Sequence, residues 1–134
     1  MKSLFEFPLG LWLMPIWVRI WVAILLLANG IVPFMFLDRP ESMVIFGTMM
    51  GAAMLMMMLT ALQGFTRLLG LGHFVWFALL WYLWTRLPHI PASDSFGVWI
   101  RAVMVLNTIA LVMDVVDVAR WIRGEREEVV EIVR

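Results

Sequence analysis

The sequence predicts an all-α integral membrane protein: a bundle of four transmembrane helices, with an N-terminal interfacial segment and a charged C-terminal helical tail. Three observations carry this. The chain of 134 residues is 63% hydrophobic and only 15% charged, against about 25% charged in soluble domains. Its mean hydropathy is +0.94, more apolar surface than a soluble chain of this length can bury. The apolar residues also fall into four runs of roughly span length, about 17–25 residues, separated by polar turns. A single domain, residues 1–134, is expected.

Residues 1–14 are apolar and aromatic, contain Trp12 and are broken by Pro8 and Gly10. They are too short to span, and tryptophan favours the headgroup level, so an interfacial segment is expected. The start lacks the charged n-region, short apolar region and small-residue site of a cleaved signal, and is read as retained.

Span 1, residues 15–37, opens with Pro15 in a first turn and carries Arg19 one turn inside. Asn29 sits near its middle, and Gly30 with Pro33 predicts a kink. The turn Asp38-Arg39-Pro40-Glu41-Ser42 leads to span 2, residues 43–65, which holds seven of the twelve methionines and the pattern Gly47-x-x-x-Gly51. Small residues four apart let another backbone approach closely in lipid, within the bundle or between subunits.

Gly64, Arg67, Gly70 and Gly72 mark a short connection to span 3, residues 70–87, with His73 at one end and Trp81, Tyr82 and Trp84 toward the other. Residues 85–95 form the longest loop, whose Pro88, Pro91 and Ser-Asp-Ser signal a stop and a cap for span 4, residues 96–119. Residues 120–134 are charged and amphipathic, and a helical extension is expected.

Lys2, Arg19, Arg67, Arg120, Arg123, Arg126 and Arg134 lie on one side of this topology, and Arg39, Arg86 and Arg101 on the other. The excess predicts both termini in the cytoplasm and a plasma (inner) membrane location.

Charge inside a span costs about 2.5–3.5 kcal/mol at the centre, so each such residue needs a partner or water. Asn107, Asp114 and Asp117 share an arc of about 80° on span 4. Arg19 enters from the same leaflet, and pairing with Asp114 or Asp117 is the expected arrangement, with a titrating Asp114 as the functional alternative. Asn29 and Asn107, at similar depth, are expected to bond across helices. Arg101 is expected to be neutralised by Asp94, Asp38 or Glu41.

Several chemistries lack their residues. There is no cysteine, hence no thiol chemistry. Zero net charge argues against a nucleic-acid partner. His73 and His89 lie at opposite ends of span 3, which argues against a catalytic triad, a shared metal or a haem. Met50, Met54 and Met58 share one helix face and suit Cu(I) by softness, but no Met- or His-rich tail supplies an ion, so they read as apolar filler. No cofactor or metal is expected. The eight tryptophans read mainly as interfacial anchors.

The expected function is that of a non-enzymatic membrane protein acting through helix contacts, as a homo-oligomer or an accessory subunit of a membrane complex. The alternative is a small channel or a proton- or cation-coupled transporter, with a polar path past Asn29, Asn107 and Asp114.

Overall fold

The computed structural model describes residues 6–127. Lys2 and Arg134, which enter the charge asymmetry, and the tail beyond residue 127 lie outside the described residues. Five α-helices form, α1 (Glu6–Leu13), α2 (Ile16–Leu26), α3 (Pro40–Gln63), α4 (Val75–Arg86) and α5 (Ser95–Ile122), and no strand occurs among the described residues.

Three segments are long and apolar enough to cross a membrane: Ile16–Met35, Pro40–Gln63 and Ser95–Ile122. Most of each faces outward as apolar side chain, such as Ile20, Ile24, Met54, Val105 and Val112. The third apolar stretch is divided. Arg67–His73 forms a 3-10 segment, α4 follows, and Leu87–His89 makes a further 3-10 turn. The 12 residues of α4 rise about 18 Å, short of the roughly 30 Å hydrocarbon thickness.

The N-terminal stretch is helical despite Pro8 and Gly10. Pro8 occupies the first turn of α1, where its missing N–H is not required. Gly10 lies under the ring of Phe65, where a Cβ would collide.

The first span changes its winding where Gly30 and Pro33 predict a kink. After α2 the backbone forms a π-turn over Leu27–Ile31, then a 3-10 turn over Val32–Met35. The Val32 N–H bonds the Leu27 carbonyl, five residues back. In that register the Ala28 carbonyl would need the N–H of residue 33, and proline has none. The indole of Trp99 supplies the donor instead, at 2.8 Å, so α5 satisfies an acceptor that the first span leaves open.

The main core joins α3, α4 and α5 around Ile45, Trp76, Leu79, Leu83, Ile100 and Val103. Trp76 and Trp99 are therefore core residues, whereas Trp12, Trp17, Trp81 and Trp84 are exposed as anchors would be. The first span packs on α3 and α5 mainly through its π-turn. α2 itself stands away from α5.

α5 ends at Ile122, so the expected helical extension does not run through residues 123–127; residues 128–134 lie outside the described residues. The Gly124 N–H bonds the Trp121 carbonyl and the Glu125 N–H bonds the Arg120 carbonyl, a Schellman closure. Gly124 has φ 113°, which a residue with a Cβ adopts at a cost.

Candidate functional site

Asn29 and Asn107 meet as expected. Each donates from its amide nitrogen to the other's oxygen at 2.9 Å, and both are 0% exposed. The second donor of Asn29 bonds the Leu25 carbonyl at 3.0 Å. The pair is a sealed crosslink between the first and last spans.

Asp114 does not pair with Arg19. Its partner is His73, with Nδ1 to Oδ2 at 2.7 Å and side chains 14% and 17% exposed. Backbone packing creates this meeting. The 3-10 segment lies so close on α5 that a Cβ on Gly70 would stand 2.7 Å from the Asp114 carbonyl oxygen. Gly72 faces Met56 and the Ala52 carbonyl, where a Cβ would also collide. With both glycines seated, His73 arrives beside Asp114 and stacks on Trp76 at 4.1 Å between centroids.

Asp117 faces Arg67 at 3.6 Å. This is an ion pair without a short hydrogen bond, and it leaves donors of the guanidinium open to other partners. Arg19 places its guanidinium 5.0 Å from the centre of the Trp12 ring, and its Nε is buried without a hydrogen-bond partner. The expected Arg19 pairing is replaced by a cation–π contact.

Arg101 likewise uses no carboxylate. It donates to the carbonyls of Gly97 and Ile90, each at 3.0 Å. Glu41, a candidate partner for Arg101, instead accepts from Arg86 at 2.6 Å. His89 lies at the other end of α4 from His73. Among the described residues no three His, Asp or Glu gather as a metal-ligand set.

Gly47 and Gly51 are exposed, and a Cβ on either would meet nothing within 4 Å. They admit no backbone from within the chain. Met50, Met54 and Met58 are exposed on the same side of α3.

A cavity of about 610 Å³ opens where α2 stands away from α5. Its walls are apolar and aromatic, including Trp17, Trp21, Met56 and Phe65, and α1 contributes Phe7 and Leu11. Its polar end holds Arg67, His73, Asp114, Asp117 and Arg120. A smaller hollow of about 240 Å³ shares Trp17, Trp21 and Met113 with it. At the rim, Arg120 donates to Glu125 at 2.7 Å. That hydrogen bond holds the Glu125 carboxyl below the usual carboxylate range, against a weaker upward effect of burial, so Glu125 stays ionised.

His73 as the partner of Asp114, and the cavity itself, are not readable from helix periodicity. The available signal was Gly70-x-Gly72-His73 preceding an apolar run, two small residues that permit close approach beside a polar one.

The fold and site define an all-helical protein with three helices long and apolar enough to cross a membrane and an apolar cavity with a charged end. Compared with known proteins, the chain matches no family model, no curated protein and no solved structure.

Proposed function

We propose that the protein is a non-enzymatic, multi-pass plasma-membrane protein that binds an amphiphilic molecule from the surrounding bilayer. One observation carries this reading. The cavity between α2 and α5 is apolar along its length and ends at the His73–Asp114 and Arg67–Asp117 pairs. An apolar enclosure with a few convergent polar groups is the usual form of a small-molecule site. A channel past Asn29 and Asn107 is disfavoured, because those amides hydrogen-bond one another and are fully buried.

In this reading the chain crosses four times, with both termini cytoplasmic. Arg86 pairs with Glu41 at the start of α3, so residues 64–86 return along the length of α3. At about 2.0 Å per residue, the seven residues of the 3-10 segment add roughly 14 Å to α4. The cavity then lies in the cytoplasmic leaflet, with its charged end toward the headgroups.

The test is occupancy. Protein purified in mild detergent and ejected for native mass spectrometry is expected to retain one amphiphile per chain, and Val18→Trp, which fills the cavity, to lose it. Equal retention by both proteins, with no stoichiometric species, would overturn the reading.

A second reading has the protein work through helix contacts, as a homo-oligomer or an accessory subunit. The outward, unoccupied Gly47–Gly51 face favours it.

A further inference from the structure

We propose that α1 and α2 carry a second site, a docking point for an anionic phospholipid whose phosphate is held by the guanidinium of Arg19. The site is separate from the cavity. It rests on the membrane location and not on what the cavity holds.

Arg19 is an arginine with its bonding capacity unspent. It lies in the first apolar segment, Ile16–Met35, where an unmatched charge is costly. Its Nε is buried without an acceptor, and its guanidinium rests 5.0 Å from the centre of the Trp12 ring. The other arginines differ. Arg39, Arg67, Arg86 and Arg120 meet carboxylates, and Arg101 and Arg126 meet carbonyls. Arg123 is exposed beyond α5 and acts electrostatically on Glu125. Among the described residues, Arg19 is thus the arginine inside an apolar segment that has neither a carboxylate nor a carbonyl. Arginine stays charged in proteins, so the argument needs no choice of protonation state.

The place suits a phosphate. Cβ atoms on a helix tilt toward its N-terminus, so Arg19 reaches back over the first turn of α2 to Trp12. There the Val18 and Arg19 N–H groups both donate to the Pro15 carbonyl, at 3.0 and 3.1 Å. Those of Ile16 and Trp17 have no backbone acceptor among the described residues. They add to the pull of the guanidinium on an anion, whose fork matches two phosphate oxygens.

The surroundings select a lipid. Ile16 lies three residues before Arg19, hence beside it on the helix surface. With Ile20 and Ile24 it makes an exposed apolar row, along which an acyl chain can lie. Trp12 and Trp17 are exposed, as anchors at headgroup level are. A zwitterionic head brings its own ammonium to the phosphate, so a lone guanidinium favours a head of net negative charge.

The test uses the full chain in mixed micelles holding equal amounts of phosphatidylglycerol and phosphatidylcholine with identical acyl chains, ejected for native mass spectrometry. One phosphatidylglycerol per chain is expected in addition to the cavity's occupant, preferred about fivefold over phosphatidylcholine. Arg19→Gln should abolish the preference, and Arg19→Lys should keep part of it, since the charge remains without the fork. Trp12→Leu, an exposed change that removes the ring under the guanidinium, should weaken it about twofold. Arg123→Gln controls for basic charge in general and Val18→Trp for the cavity, and both should leave the preference in place. Each variant is checked for monodispersity and helix content.

Equal binding of the two lipids by wild type, or an unchanged preference in folded Arg19→Gln, would overturn the proposal. If that variant does not fold, an unchanged preference in Trp12→Leu would do so. Loss of the preference in Arg123→Gln would mark a diffuse attraction to basic residues. Loss in Val18→Trp would put the lipid in the cavity, so that the docking point falls and the cavity reading stands.

Discussion

Asn29 and Asn107, 78 residues apart, exchange two hydrogen bonds of 2.9 Å and are sealed from solvent. Each amide answers the other, so removing one strands its partner. We expect Asn29→Leu and Asn107→Leu each to destabilise the protein by about 1–3 kcal/mol, the cost of a buried unsatisfied polar group. The double Leu variant should recover part of that loss. Unfolding in mixed micelles measures it, and strictly additive losses would show that the pair does not act as a unit.

Gly70 sets the distance between the 3-10 segment and α5. Gly70→Ala puts a methyl against the Asp114 carbonyl, so backbone must move. A loss of about 1–3 kcal/mol is expected, as for overpacking in a close-packed interior. The His73 ring should also shift off Asp114, visible as changed imidazole chemical shifts. A Gly70→Ala protein of wild-type stability with unmoved His73 resonances would show that the close approach is not required.

Gly47 and Gly51 serve as the opposite case. Their Cβ positions are open, so Gly47→Ile with Gly51→Ile should leave the monomer's stability within about 0.5 kcal/mol of wild type. If copies associate through this face, the same change should abolish crosslinking between them in lipid. Unchanged crosslinking would remove the second functional reading.

Topology is tested by reporters. The excess of arginine and lysine at the Arg67–Arg120 end predicts that a cytoplasm-dependent reporter fused after Arg134 is active. A periplasm-dependent reporter should be active when inserted in the turn at residues 38–39. Activity of a periplasm-dependent fusion after Arg134 would point to three crossings rather than four.

The Glu125 carboxyl lies below its ordinary range because Arg120 donates to it. A depressed value in the folded protein means that the clasp is fully formed above the ordinary glutamate range. It is lost as pH falls through the lowered value. Carbon-detected titration should give Glu125 a midpoint below that of free glutamate, and Arg120→Gln should return it to the ordinary range. Identical midpoints in the two proteins would exclude the clasp.

The apolar runs and their polar breaks were legible because lipid allows few solutions for an unpaired backbone. The Asn29–Asn107 bond was legible for a related reason, since two amides at equal depth have few other partners. The charge pairing was not. Matching Arg19 to an aspartate supposes that a cation needs an anion. The chain uses the Trp12 ring for Arg19 and the Gly97 and Ile90 carbonyls for Arg101. His73 was missed because its position depends on Arg67–His73 winding as a 3-10 segment against α5, a choice that tertiary contact makes rather than local pattern. The end of α5 was readable in principle, since Gly124 follows the last turn as a C-terminal glycine does, but the charged pattern beyond it suggested continuation.

The crosslink between the first and last spans also sets an order of assembly. Asn29 leaves the ribosome 78 residues ahead of Asn107, a delay of roughly 4–16 s at about 5–20 residues per second. The Ala28 carbonyl likewise awaits the indole of Trp99, 71 residues later. Throughout that interval the open carbonyl and the half-satisfied amide lack these partners, and unsatisfied polar groups are costly in hydrocarbon. A chain truncated before α5 would leave the Ala28 carbonyl and the Asn29 side chain without those partners permanently.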